Sequence, residues 1–323
     1  MELGYTLSSE EHGPARLVEL AAKAEDVGFD FVSISDHYHP WLSEQGHASF
    51  VWGVLGAISR ATSRIGVGVG VTCPIIRVHP AIVAHAAATT ACLLPGRFTL
   101  GLGTGEALNE HITGQRWPPA DVRLEMLEEA IGIIRQLWTG DNINHHGRHY
   151  TVEDARIFDH LSDPVPIVVS AFGPQAAALA ARCGDGIWAT GPGKTFADYE
   201  HAGGRGQRWT QLTMCWARSR DEGVQTAFRY WRNTAVPGQL SQDLPTVFHF
   251  EQATSIVTKD MVADSVPCGP DPAPILESIE KARQAGADHI YLHQIGPDQD
   301  GFFDFYQSQL RPALQSGVGS GSR

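Results

Sequence analysis

The sequence predicts a (β/α)8 barrel, and three observations carry that prediction. Short runs rich in β-branched and aromatic residues alternate with stretches of helical periodicity, the pattern of repeated β-α units on a parallel sheet. Eight such runs occur, the number that closes a sheet on itself. Polar, loop-like segments follow the second and fourth runs, SDHYHPW and GTGEALNE, where a barrel gathers its loops on one rim. A doubly wound open sheet is the architectural alternative.

The first run spans residues 3–7, and Pro14 then opens a helix whose Leu17, Leu20, Ala21, Ala24 and Val27 share one face before Gly28 stops it. Residues 31–34 and 65–72 are the second and third runs, followed by a helix over 80–94 and a fourth run over 98–102. Leu124, Leu127, Ile131, Ile134 and Leu137, spaced by three and four, mark a long amphipathic helix closed by Gly140. An excursion covers 142–158, with Gly147 turning between two short extended pieces. Residues 166–170, 185–189, 211–216 and 289–293 complete the eight. Weak periodicity and several aromatics mark about 237–264 as an inserted segment over the barrel mouth, where insertions shape pockets. The expectation is one domain over 1–315 and a disordered tail over 316–323, which has nothing to bury.

Composition narrows the function. Of 323 residues 42% are apolar and 19% charged, an ordinary globular balance long enough to bury a large core. A formal charge of −12 argues against non-specific binding to nucleic acid or an anionic membrane, both of which need a cationic face. Five cysteines without a CxxC pair read as buried thiols of a reducing compartment. With no basic leader and no run of eighteen apolar residues, the chain is expected in the cytoplasm, with a small molecule as its partner.

Two loop motifs carry the chemistry. SDHYHPW places His37 and Trp41 past the second run, and GTGEALNE places Glu106 past the fourth, so residues far apart in sequence converge on one ligand. These segments, with TCPIIRVHPAIVAHAAATTACLLPGRFTLGLG and IIRQLWTGD, resemble the luciferase-like oxidoreductase superfamily. The likeness is to its branch dependent on coenzyme F420, an 8-hydroxy-5-deazaflavin, which includes sugar-6-phosphate and secondary alcohol dehydrogenases. It covers most of the chain and is densest between residues 30 and 140.

The resemblance implies a TIM barrel, a homodimer and a deazaflavin at the C-terminal mouth. It makes His37, Trp41 and Glu106 the reacting trio: His37 the acid/base, Glu106 a proton donor on the ring side, and Trp41 a ring edge beside developing charge. It assigns cofactor binding to Asp36, Gly70, Val71, Cys73, Thr104, Gly105, Asn109, Ala171, Phe172, Gly173 and Thr190, with a cis peptide at Gly70–Val71. A helix N-terminus at Gly173-Pro174 would suit the cofactor phosphate. For Glu106, a helix N-terminal carboxylate is the structural reading that competes with the proton role.

On the substrate side the chain departs from the sugar-phosphate members. Their phosphate cations align with Lys194 here, but also with Met214, Ser241 and Ser265. Each charge-assisted hydrogen bond contributes roughly 1.5–3 kcal/mol, so their loss disfavours a phosphorylated substrate. Trp188, Trp216, Trp231, His249 and Phe250, with Phe248, offer an aromatic lining instead. The expected reaction is hydride transfer between F420 and a non-phosphorylated alcohol, carbonyl or activated double bond. The alternatives are an F420-dependent sugar-6-phosphate dehydrogenase, an FMN-dependent monooxygenase or non-catalytic flavin binder of the same superfamily, and a metal-dependent hydrolase built on His37-x-His39. No metal is expected, because an HxH of that kind follows the first strand and needs further ligands after later ones.

Overall fold

The computed structural model describes residues 1–159, 161, 163–191 and 193–317. Its strands are β1 (Glu2–Leu7), β2 (Phe31–Ile34), β3 (Gly66–Thr72), β4 (Phe98–Leu102), β5 (Ile143–His146), β6 (Thr151–Ala155), β7 (Ile167–Ser170), β8 (Gly186–Ala189), β9 (Gln207–Met214) and β10 (His289–Gln294). Helices α1 (Pro14–Val27), α2 (Val51–Ala61), α3 (Pro80–Leu93), α4 (Ala107–Glu110), α5 (Ala120–Leu137), α6 (Pro174–Cys183), α7 (Lys194–His201) and α8 (Arg220–Trp231) fall between them. After α8 come α9 (Leu240–Asp243), α10 (Val247–Ala253), α11 (Lys259–Ser265) and α12 (Ala273–Gln284); α13 (Gln299–Phe305) and α14 (Arg311–Gly317) follow the last strand.

Eight strands close into a parallel barrel in the order β1-β10-β9-β8-β7-β4-β3-β2, which rules out the open sheet, and β5 and β6 form a separate antiparallel pair. The excursion after α5 is therefore a hairpin outside the barrel. The barrel is filled rather than hollow. Phe31, Val168, Trp188, Trp209 and Tyr291 make an interior layer in which Trp188 and Trp209 stack with centroids 4.5 Å apart. Glycines facing inward along GVGVGVT make room for these rings: a Cβ on Gly68 would lie 3.1 Å from the Trp188 ring, and one on Gly70 2.5 Å from it. Large residues against small ones fill the interior at close-packed density, leaving the C-terminal rim for chemistry.

Three expectations need correction. β9 starts and ends earlier than 211–216, because its first turn of sequence, Gln207-Arg208, is polar and masked the strand; Trp216 therefore lies past its end. Helix α2 fills a stretch to which the sequence reading gave no element, since Gly53 and Gly56 interrupt its apolar spacing. Ser316, expected in the tail, belongs to α14, where its Oγ bonds the Pro312 carbonyl at 2.9 Å; residues 318–323 lie outside the described residues. The insertion folds into α9–α11, and its Phe250, with Val236 just before it, shares a core with Leu42 from the loop after β2 and Leu108 of α4. It is thereby seated on the rim.

Glu25 ties α1 to the start of β3. Burial raises its pKa, but hydrogen bonds from the backbone N–H groups of Ile65, Arg64 and Ser63 outweigh that and bring it from 4.5 to about 2. A depressed folded pKa means stabilisation present above the unfolded value and lost as pH falls through about 2. Glu25→Gln should cost roughly 1 kcal/mol near neutral pH. In thermal melts its deficit against wild type should shrink as pH drops below 4.5; a deficit independent of pH would refute this.

Candidate active site

The loops after β1, β2, β3 and β4 build one cluster at the rim. His37 Nδ1 lies 3.2 Å from the His39 carbonyl and 3.4 Å from Glu10 Oε1, the latter from the loop after β1. Facing two acceptors, Nδ1 carries the proton, which leaves the lone pair on Nε2. Ser8 Oγ and Ser35 Oγ donate to Glu10 Oε2 at 3.0 and 2.8 Å and fix the carboxylate. Trp41 meets the His37 ring edge-on at 5.0 Å and is backed by Phe250 at 4.9 Å. Glu106 precedes α4 without capping it by its side chain; its Oε2 accepts from Asn109 Nδ2 at 3.2 Å. Asn109 Oδ1 accepts in turn from the backbone N–H of Tyr38 and of His39, at 2.9 and 3.1 Å, so the loops carrying His37 and Glu106 are joined directly.

Behind them lies a buried ion cluster. Arg77 Nη2 is 3.0 Å from Asp36 Oδ1, and Arg77 Nε is 3.3 Å from Glu110 Oε1. The first contact is an ion pair without hydrogen-bond alignment, since Asp36 Oδ1 has no hydrogen-bond partner. Asp36 Oδ2 accepts from Thr72 Oγ1, and Glu110 Oε2 from the Arg77 backbone N–H. Burial works against the Arg77 charge, but Asp36 and Glu110 hold its pKa above the usual value.

The predicted cofactor residues lie in β3 and in the segments after β2, β3, β4, β7 and β8. The Gly70–Val71 peptide is cis. Cys73 is buried, and burial pushes its thiol well above the usual range, so it packs as a neutral group against Gly105, whose φ is +70°. Thr104 is half-buried beside it and Thr190 is exposed past β8. Ala171 is buried and bonded to the Trp188 carbonyl at 2.9 Å, whereas Phe172 is 60% exposed. Gly173 precedes α6 with no side-chain cap and nothing within 4 Å of where a Cβ would stand, leaving first-turn N–H donors open.

The predicted substrate residues divide. Trp231 and Phe250 belong to the rim cores, and Trp231 joins the cluster that reaches Trp41. Trp188 does not line the mouth: it is an interior residue with 2% exposure, its Nε1 donating to Tyr291 Oη. Trp216 also turns away, stacking on Phe305 of α13 at 5.9 Å. His249 is exposed and bonded to Thr246 at the start of α10. Lys194 points to solvent, its side chain 79% exposed and paired with Asp198 at 2.7 Å. His39 bonds the Leu108 carbonyl at 2.9 Å instead of joining His37, and among the described residues no group of three His, Cys, Asp or Glu is placed to hold a metal.

Sequence reasoning missed Glu10, Glu11, Arg77, Glu110 and His293. The polar run Ser8-Ser9-Glu10-Glu11-His12 directly after the first strand was the available signal. Comparison with known proteins now adds to this geometry. Residues 1–289 match the family model of the luciferase-like monooxygenases. The chain belongs to the luciferase-like monooxygenase family. A curated relative of this luciferase-like chain, from Nocardia farcinica strain IFM 10152, is 34% identical over 98% of both chains and is named F420-dependent glucose-6-phosphate dehydrogenase. One from Amycolatopsis mediterranei strain U-32 with the same name is 33% identical over 98% of this chain and 99% of its own. Among solved structures, an F420-dependent secondary alcohol dehydrogenase in complex with an F420-acetone adduct superposes with a TM-score of 0.88 at 29% identity, covering 95% of this chain and 97% of that one.

If Arg77 holds the rim loops together, Arg77→Met strands two buried carboxylates. It should destabilise this luciferase-like fold by about 3–5 kcal/mol in denaturant titrations. A loss below about 1 kcal/mol, the scale of an exposed pair, would show that the cluster does not bear on stability.

Proposed function

We propose that this protein is an F420-dependent oxidoreductase that moves a hydride between the deazaflavin and the carbinol carbon of a non-phosphorylated alcohol or ketone. The observation that carries the reading is His37, oriented through Nδ1 so that Nε2 is its working nitrogen, in one rim cluster with Trp41 and Glu106. The residues present suit the cofactor. The open glycine and uncapped start of α6 offer N–H donors for a phosphate, and Gly70, Val71, Thr104 and Gly105 would hold the ring. When bound, F420 supplies a two-electron hydride carrier.

The chain's own groups then handle the protons. His37 Nε2 takes the hydroxyl proton of an alcohol as its carbon loses hydride, and returns it to the ketone oxygen in the reverse direction. Glu10 stabilises the imidazolium that forms and keeps the ring aimed. Glu106, steadied by Asn109, holds the proton exchanged on the cofactor side, and Trp41 walls the reacting atoms from water. The reading extends to a homodimer in the cytoplasm. Exposed Phe50, just before α2, and Ile82 on neighbouring α3 favour the dimer, and Cys73, Cys183, Cys215 and Cys268 remain thiols.

The names of the curated relatives favour the second reading, a sugar-6-phosphate dehydrogenase, more directly than the first. Placement of charge favours the first: Lys194 is solvated and paired, Met214 is buried with 1% exposure, and Ser241 and Ser265 bond backbone carbonyls of their own segments. Steady-state assays with F420 decide between them. Secondary alcohols should exceed glucose 6-phosphate in kcat/KM by at least about a hundredfold, the scale of two lost charge-assisted bonds; efficient oxidation of glucose 6-phosphate would overturn the proposal. His37→Ala should keep F420 binding and lose turnover by about two to four orders of magnitude, and near-normal turnover would remove His37 from its role. The absorption spectrum of bound cofactor separates F420 from FMN.

A further inference from the structure

Adjacent residues Glu10 and Glu11 send carboxylates to two different imidazoles. Glu10 faces His37, whereas Glu11 Oε2 accepts from Trp231 Nε1 at 2.6 Å and from His293 Nε2 at 3.1 Å. Glu11 Oε1 accepts from the Gly296 N–H at 2.7 Å, and the side chains of Glu11 and His293 are each 1% exposed. Burial raises the Glu11 pKa, but these donors, led by His293, bring it below the usual value, so the carboxylate is ionised. Its pull fixes a proton on His293 Nε2 and turns Nδ1 toward β9, with Gln211 Nε2 at 3.4 Å and Thr213 Oγ1 at 3.5 Å.

Gln211 and Thr213 alternate in step with Trp209, and His293 with Tyr291, so all three face the lumen above the aromatic layer. Gln211 Nε2 donates to Thr213 Oγ1 at 3.0 Å, and both residues are only half-buried. On the same inward face of β1, Thr6 Oγ1 is buried without a partner. The His293 ring meets Trp231 at 4.3 Å, and Trp231 shares its cluster with Trp41, which contacts His37. The two imidazoles thus belong to one mouth.

We infer that Gln211 and Thr213, backed by His293 and Glu11, are specificity-determining residues that bind a second, uncharged hydroxyl of the substrate whose carbinol lies at His37. The inference rests on the hydride-transfer reading above and narrows its substrate class to diols, hydroxyketones and larger neutral polyols. Gln211 Nε2 gives one N–H to Thr213 and turns the other toward His293 Nδ1, which leaves Gln211 Oε1 and the second Thr213 lone pair as acceptors for an O–H. Gln211, Thr213 and His293 include no Lys or Arg to compensate an anionic group, and the Glu11 carboxylate stands behind them. A site built to hydrogen-bond a hydroxyl rejects the analogue lacking it far more strongly than an apolar pocket rejects an isostere.

The test compares butane-2,3-diol with butan-2-ol as hydride donors to F420, followed by loss of F420 absorbance. Wild-type enzyme should prefer the diol by at least about tenfold in kcat/KM. Thr213→Val and Gln211→Leu should each abolish that preference, chiefly through the KM for the diol, with F420 affinity retained in fluorescence titrations. Should one variant fail to fold, the other reads the same wall. Equal use of the two alcohols by wild type, a preference that survives the variants, or F420 binding without turnover of either alcohol overturns the inference. Failure to bind F420 overturns the hydride-transfer reading itself.

Discussion

The buried guanidinium of Arg77 is the constraint on which the rim depends. It bridges Asp36 and Glu110, so one side chain from the loop after β3 ties the loops after β2 and β4, and those loops carry His37, Trp41, Glu106 and Asn109. Buried charges tolerate such a site only when each has its counterpart, and loss of one member leaves the others costly. The tie therefore gives the mouth a definite geometry without using His37, Trp41 or Glu106. The Asn109 amide repeats the link at a shorter range, joining the His37 loop to the helix behind Glu106.

Much of the barrel was legible because its physics is periodic. Alternating glycine and valine in GVGVGVT encodes one face that admits Trp188 and Trp209 and another that packs on helices. Boundaries failed where local chemistry contradicted tertiary need, as at Gln207-Arg208, polar residues that nevertheless begin a strand. The motifs of the candidate site were picked out by loop position and by a family resemblance. The residues that orient them were not, because an arginine at 77 and glutamates at 10 and 11 look like ordinary surface charges until the fold buries them. Trp188 failed for the opposite reason: an aromatic near the end of a strand reads as a pocket residue, whereas the barrel spends it on filling its own interior.

Electrostatics is the ground on which a neutral substrate is proposed. At this mouth the carboxylates of Glu10 and Glu11 are each engaged with an imidazole, and Lys194 is turned to solvent. On the proposed reading, that arrangement suits a neutral substrate and keeps His37 aimed through Nδ1. The inserted segment packs Phe250 on Trp41, an apolar contact whose position follows the tied loops.

The most direct measurement is a crystal structure with F420 and a small ketone bound. The account predicts the deazaflavin ring against the Gly70–Val71 segment, the phosphate at the start of α6, and His37 Nε2 about 2.6–3.2 Å from the ketone oxygen. A ring seated elsewhere, or His37 turned away from the ketone with Nδ1 released from Glu10, would contradict it.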